Sequence, residues 1–366
     1  MISETSDLLP STPWEDTIWS QAREEALLDS VSSPRLCVAA LLPFKEGNPD
    51  WASFEGMLAW MSNCAEHFGV EITFVLNADT GYVFNLSNKL YEEVIRRFRS
   101  LYPKESFISG VTAVAASPTE FHASCYHPHL EIAQAHGPCE VMIMTSQALN
   151  ALGPEKRRDA YFKIADQIKV PALVHALEPA FVPWATPFEP WLLHQLASHE
   201  KFVGGKISTL DEPHFLYWAS MCRDLALDFV AHSGDDFGIA SAIRMGLPLL
   251  IGAGVSACPL ICAAKKYWRE DEFDSRVYKL FEAIQSLEDS VFRLDQKGSA
   301  AGYKHSTAEI LKMFGVINSS EIHPACSDLR AGDEAARMRE ALARPIRMAD
   351  RMEIPYFSFS PCPLMH

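Results

Sequence analysis

Short apolar runs alternate with longer segments of helical period along this chain. The runs are Leu36–Leu42, Glu71–Leu76, Phe107–Val111, Val141–Met144, Ala172–His175, Phe202–Ile207, Asp228–His232 and Pro248–Ile251. Between them lie Trp51–Phe68, Leu86–Tyr102, Pro154–Gln167, Pro190–Ser198, Glu212–Leu225 and Phe237–Met245, with apolar residues at the i, i+3, i+4 spacing of an amphipathic helix. Strands alternating with helices in this way predict an α/β fold, a (β/α)8 TIM barrel with a C-terminal helical domain. An open, doubly wound sheet shares the same periodicity and is the structural competitor. Only helices are expected later, at Glu272–Asp295, Ser306–Phe314 and Asp333–Arg344.

The domains expected are an N-terminal extension over residues 1–34, the barrel over 35–268, the helical domain over 269–345 and a tail over 346–366. The extension is polar, with Pro10, Pro13 and Pro34 and a candidate helix around Glu15–Leu28. The tail carries Tyr356, Phe357, Phe359, Pro361 and Pro363, residues expected on a surface or against a neighbouring subunit.

Gly246–Ala264 is uncharged over 19 residues, long enough to span a bilayer. Pro248, Gly252, Gly254, Ser256 and Pro259 break it into strand, loop and helix instead. Charge narrows the partners further. The 366 residues hold 32 Lys plus Arg against 47 Asp plus Glu, a formal charge of −15. Such a surface repels nucleic acid and anionic membranes as principal partners, while leaving room for a local basic pocket. Nine scattered cysteines with no CxxC pair read as reduced thiols of a cytoplasmic protein. Acidic first residues with no apolar run behind them do not read as a signal peptide.

The segment richest in chemistry is Phe202-Val203-Gly204-Gly205-Lys206-Ile207-Ser208. Lys206 ends an apolar strand, and the C-terminal strand ends of a barrel are where active sites are built. Gly204 and Gly205 are expected to clear space beside it. A lysine kept from water favours its free amine, which attacks a ketone to give a Schiff base. The same residue could instead snorkel its ammonium out to solvent.

Six segments, in order, resemble the dihydrodipicolinate synthase / N-acetylneuraminate lyase family of class I aldolases. They are Leu41-Leu42-Pro43-Phe44; Ala78-Asp79-Thr80-Gly81 with Leu86-Ser87 and Glu92-Glu93; Val203-Gly204-Gly205-Lys206; Ser233-Gly234-Asp235-Asp236; Gly252 through Pro259; and Gly302-Tyr303-Lys304 through Pro324. The resemblance spans about residues 36–343. It implies a barrel with a helical C-terminal domain, a homo-oligomer (dimer or tetramer), no cofactor, and Lys206 forming an imine with a 2-oxo acid such as pyruvate. Thr80 and the Thr80-Gly81 amides would hold the substrate carboxylate, since amides converging in a tight turn attract anions. Ser208, Gly252 and Ser256 would complete the substrate site.

The departures are specific. His175 stands where the family carries a tyrosine on its fifth strand, and Met144-Thr145-Ser146-Gln147 replaces the synthases' T-P-Y-Y. Asp79 replaces the first Thr or Ser of the second-strand turn, and no arginine follows in Ala176–Phe181. These changes argue against true dihydrodipicolinate synthase activity. His175 is the expected general acid/base, because imidazole titrates near neutrality; the alternative is a histidine satisfied inside the core. Asp79 would orient it or share its proton relay, or simply cap its own turn.

Two rival functions remain at this stage. The first is a metal-dependent barrel hydrolase or isomerase. His122, Cys125, His127, His129 and His136 are close enough in sequence to suggest zinc, although Pro128 is expected to break the helix there and no carboxylate pair completes a ligand set. The second is a catalytically silent binding barrel. Trp184, Phe188 and Trp191 would wall an apolar pocket or a subunit interface, Cys258 and Cys262 would pack in the core, and Arg269-Glu270-Asp271-Glu272 would open a helix.

Overall fold

Strand β1 (Leu36–Ala39) pairs in parallel with β2 (Ile72–Leu76) on one side and with β8 (Leu249–Ile251) on the other, so the sheet closes. The intervening strands β3 (Phe107–Val111), β4 (Glu140–Ile143), β5 (Ala172–Leu177), β6 (Phe202–Ser208) and β7 (Val230–Ser233) follow in chain order. The open-sheet alternative is thereby excluded. The structure is a computed structural model that describes residues 35–114, 117–225, 229–234, 238–295, 298–329 and 332–359. The candidate helix at Glu15–Leu28, Asp228 of the Asp228–His232 run, Asp235 and Asp236, Phe237 of the Phe237–Met245 segment, and the last residues of the tail lie outside that set.

Every residue of β1, β3 and β5 is buried. Parallel strands covered outside by helices and filled inside by side chains require this, which is why their sequences read as apolar runs rather than as alternation. Helices α1 (Trp51–Phe68), α2 (Asn88–Leu101), α3 (His127–Ala135), α4 (Pro154–Ala165), α5 (Pro190–Ala197), α6 (Glu212–Leu225), α7 (Ile239–Arg244) and α8 (Cys258–Glu270) each follow one strand. Local chemistry sets their ends. The Asp50 carboxylate accepts the Ser53 N–H to start α1, and Gly69 closes it at φ 61°, a left-handed conformation that favours glycine. The uncharged Gly246–Ala264 stretch divides into β8, a short turn at Ala253–Val255 and α8. Among the described residues, no helix is long and apolar enough to cross a membrane.

Three local expectations are corrected. Pro128 lies in the first turn of α3 and does not break it; a proline there sacrifices an N–H that has no helical partner anyway. The run Arg269–Glu272 closes α8, and the next helix, α9 (Ser275–Val291), starts later behind its own N-cap, Asp274. The last helix passes through Pro345 and ends at Arg351, beyond the expected Arg344. Its buried stripe of Met338, Leu342, Pro345, Ile346 and Ala349 holds the turn that the missing proline N–H would otherwise loosen.

Helices α9, α10 (Tyr303–Met313) and α11 (Glu334–Arg351) form the C-terminal helical region. The loop ahead of α10 is tied to the loop after β5, where the Ala300 amide donates to the Ala180 carbonyl at 2.7 Å. A buried polar knot fixes α10 from behind. Ser306 donates to Glu334, and Arg337 reaches both Glu334 oxygens at 2.7 and 2.8 Å. Together these contacts set the first residues of α10 at the mouth of the barrel.

Candidate active site

Lys206 is 4% exposed and shares a small cleft with Asp79, His175 and Ser208. Leu177, Phe181, Phe292 and Tyr303 supply apolar walls, and Gly234 and Gly252 are also on the lining. The cleft volume is about 10 Å³, enough for about one water centre. The lysine therefore neither snorkels into bulk solvent nor lies sealed in packed core.

The strand register explains the grouping. His175 on β5 is the partner of Lys206 on β6, and Leu177 is the partner of Ser208. Residues in register on parallel neighbours face the same side, so both the imidazole and the amine point into the barrel. Space for the lysine comes from an unexpected glycine. A Cβ on Gly234 would lie 2.4 Å from Lys206 Cε and 2.5 Å from its Cγ. Gly204 instead clears the Val230 carbonyl and the His232 ring, and Gly205 packs on Val174, so neither makes room beside the amine as the sequence suggested.

His175 is 1% exposed; its Nε2 lies 2.9 Å from Ser208 Oγ, and its Nδ1 is buried without a partner. Burial, and then the Lys206 charge, push the imidazole well below its ordinary 6.5 against an opposing pull from Asp79. It is therefore a neutral ring at physiological pH.

Asp79 does not orient His175 through a hydrogen bond, as had been expected. Its Oδ1 takes Lys304 Nζ at 2.9 Å and its Oδ2 takes the Tyr303 hydroxyl at 2.8 Å. The same phenol lies 3.2 Å from Thr80 Oγ1. Burial alone would raise the Asp79 carboxyl, but the Lys304 ammonium and these hydrogen bonds hold it below the usual carboxylate value. Tyr303 and Lys304 appear in the resembling segment at the start of α10, yet nothing local in the sequence signals that they cross to the barrel mouth.

The remaining expected residues are divided. Thr80 joins the site through Tyr303. The Gly81 amide is spent on the Ala78 carbonyl at 3.0 Å, closing the turn, and is not an open donor to a carboxylate. Gly252 lines the cleft, while Ser256 is buried in the turn ahead of α8 and does not line it. The aromatic loop residues also lie elsewhere. Phe188 packs against Tyr161 and Trp218, Trp184 against Phe84, and Trp191 is exposed under Arg158. Phe181 of that loop is the one that reaches the cleft.

The histidine cluster disperses. His129 stacks on Tyr91 at 3.9 Å, while His122, His127 and His136 each face a different glutamate. Among the described residues, no three His, Cys, Asp or Glu side chains converge as a metal-binding group.

The fold and cleft define a class: a closed parallel (β/α)8 barrel whose mouth, with a buried strand-end lysine, is roofed by C-terminal helices. Solved structures similar to it include dihydrodipicolinate synthases. The enzyme from Thermotoga maritima has a TM-score of 0.68 and 16% identity, over 84% of this chain and 96% of its own. The enzyme from Acinetobacter baumannii, solved in complex with pyruvate, has a TM-score of 0.68 and 19% identity, over 84% and 97%. A monomeric dihydrodipicolinate synthase variant has a TM-score of 0.69 and 15% identity, over 85% and 96%. No family model and no curated protein matches the sequence. The resemblance read from six scattered segments is borne out at the level of the fold, and the chemistry has to be argued from the site.

Proposed function

We propose that the protein is a class I aldolase-type lyase that forms a Schiff base between Lys206 and a 2-oxo acid such as pyruvate. The observation that supports this reading most is the amine itself, held at a strand end inside a cleft with a neutral imidazole and a phenol–carboxylate pair. In its free form the amine nitrogen attacks the ketone carbon and gives up a proton as the carbonyl oxygen takes one, which yields a carbinolamine. A second proton on that oxygen lets it leave as water, and the protonated imine remains. The imine then accepts the electron pair released when a bond at the neighbouring carbon breaks.

Protons have two carriers here. Tyr303, bonded to Asp79 and near Thr80, presents a hydroxyl at the cleft, and His175 presents a neutral ring braced by Ser208. Both belong to residue types used for acid–base work. Thr80, next to the Tyr303 hydroxyl, would meet a substrate carboxylate in a site without the arginine of the synthases. The cleft is too small for pyruvate as it stands, so Phe181, Phe292 and Tyr303 must draw apart on binding.

The test is trapping. The protein is incubated with pyruvate, reduced with borohydride, and read by intact mass and by the modified peptide. An adduct on Lys206, absent in Lys206→Ala, is the expected result. No adduct with pyruvate or with a panel of other 2-oxo acids would sink the proposal.

A further inference from the structure

A second recess has no connection with Lys206. It lies between α9 and α11, has a volume of about 740 Å³, and shares no lining residue with the cleft at the barrel mouth. Volumes of roughly 300–1,000 Å³ are those of small-molecule sites. Five cations line it: Arg276 and Lys279 from α9, and Arg344, Arg347 and Arg351 from α11. Only two acids, Glu282 and Glu353, face them. In a chain with a formal charge of −15, this convergence is opposite in sign to the surface as a whole.

Two of the cations are already committed. Arg276 pairs with Asp274 at 2.6 Å and lies 4.0 Å over the Tyr267 ring, and Arg344 pairs with Glu282 at 2.6 Å. Lys279, Arg347 and Arg351 make no ion pair among the described residues. Arg347 and Arg351 are four positions apart on one helix, so their side chains stand one turn from each other on the same face. Like charges at that spacing repel, and a bound anion relieves the repulsion. Guanidinium groups match phosphate oxygens with two parallel hydrogen bonds, which an ammonium cannot do. Ala283, Met348 and Met352 supply an apolar floor, and methionine adapts to irregular organic surfaces.

We propose that this recess binds an organic molecule carrying two or more phosphate groups. The uncommitted cations take the phosphates, and the methionine floor takes the carbon frame. The volume exceeds what a bare inorganic anion fills, which favours the organic ligand over free phosphate. The inference is independent of the Schiff-base reading, because no residue is shared.

The test is calorimetric titration of the full-length protein with sodium pyrophosphate, with ADP free of metal ions, and with a ten-residue glutamate peptide, at low ionic strength. The expected result is one saturable site per chain for ADP and for pyrophosphate, ADP being tighter, with Kd below roughly 1 mM. Affinity should fall as salt screens the charges. Arg347→Glu combined with Arg351→Glu should weaken binding at least about tenfold, whereas Arg96→Glu on α2, which does not line the recess, should not. Circular dichroism and the thermal midpoint report whether the double variant is folded; should it unfold, Arg347→Gln is measured in its place. Absence of saturable binding, binding unchanged in the charge variants, or tighter binding of the glutamate peptide than of ADP would each overturn the proposal.

Discussion

Lys304 Nζ meets Asp79 Oδ1 at 2.9 Å across 225 positions of sequence, joining the start of α10 to the turn after β2. Both side chains are nearly buried, and the carboxylate is also bonded by Tyr303. Removing one member of such a pair strands the other charge, at a cost of about 3 kcal/mol or more. Asp79→Asn and Lys304→Met should therefore each lower the urea midpoint substantially. The double substitution should recover much of the loss. Equal, additive losses would mean that the two charges are not coupled.

The same pair has a pH signature. The folded Asp79 carboxyl lies below its ordinary 3.8, so the unfolded state binds the proton first as acid is added. The stability it contributes is complete above about pH 4 and is lost as pH falls through the folded value. Wild type should lose stability more steeply than Asp79→Asn below that point, as read from urea midpoints between pH 5 and pH 2.5.

Buried histidines govern a higher window. Burial pushes His129 and His232 from 6.5 down to about 4, and His175 is also well below 6.5. Between about pH 6.5 and 4 the unfolded chain binds protons at these positions that the folded chain refuses. Stability should therefore rise with pH through this window, by about 3 kcal/mol for a group shifted that far. His232→Gln should flatten the slope by close to one proton. A slope unchanged in that variant would show that the ring is hydrated or charged in the folded state.

Much of this was legible before any coordinates. Eight apolar runs became eight strands because strands covered on both faces cannot alternate with polar residues, and the strand-end lysine followed from where its run stopped. What stayed hidden was whatever depends on contacts distant in sequence. Tyr303 and Lys304 sit in an ordinary helical pattern, and only closure of the barrel under α10 delivers them to Asp79. The glycine that clears the lysine lies not beside it in sequence but on the next strand's end. The last helix runs past the expected Arg344 through Pro345, which stayed hidden because the sequence carries the cost of a lost N–H but not the packing that offsets it.

Tyr303→Phe keeps the ring that stacks on Phe292 and deletes only the hydroxyl. Proton transfer by a positioned side chain typically contributes on the order of a hundredfold or more, so trapping of the pyruvate imine should slow by about that factor while the thermal midpoint moves little. His175→Gln tests the other carrier in the same assay. If only His175→Gln slows trapping, the phenol is a structural contact of Asp79 and the imidazole carries the protons.

Gly234→Ala tests the geometry on which the amine depends. The added methyl would fall 2.4 Å from Lys206 Cε and 2.9 Å from the Ile207 carbonyl, closer than carbon atoms are tolerated. The carbonyl belongs to the barrel wall and cannot yield far, so the lysine chain must give way and carry its nitrogen off the cleft axis. Overpacking of this kind costs about 1–3 kcal/mol and leaves most proteins folded. A displacement of about 1 Å is enough to cost on the order of a hundredfold in a positioned reaction. The expected outcome is a folded variant with little or no trapped adduct, read by intact mass beside its circular dichroism spectrum. A variant that traps pyruvate as fast as wild type would show that the amine reaches its electrophile from a position other than the one against Gly234.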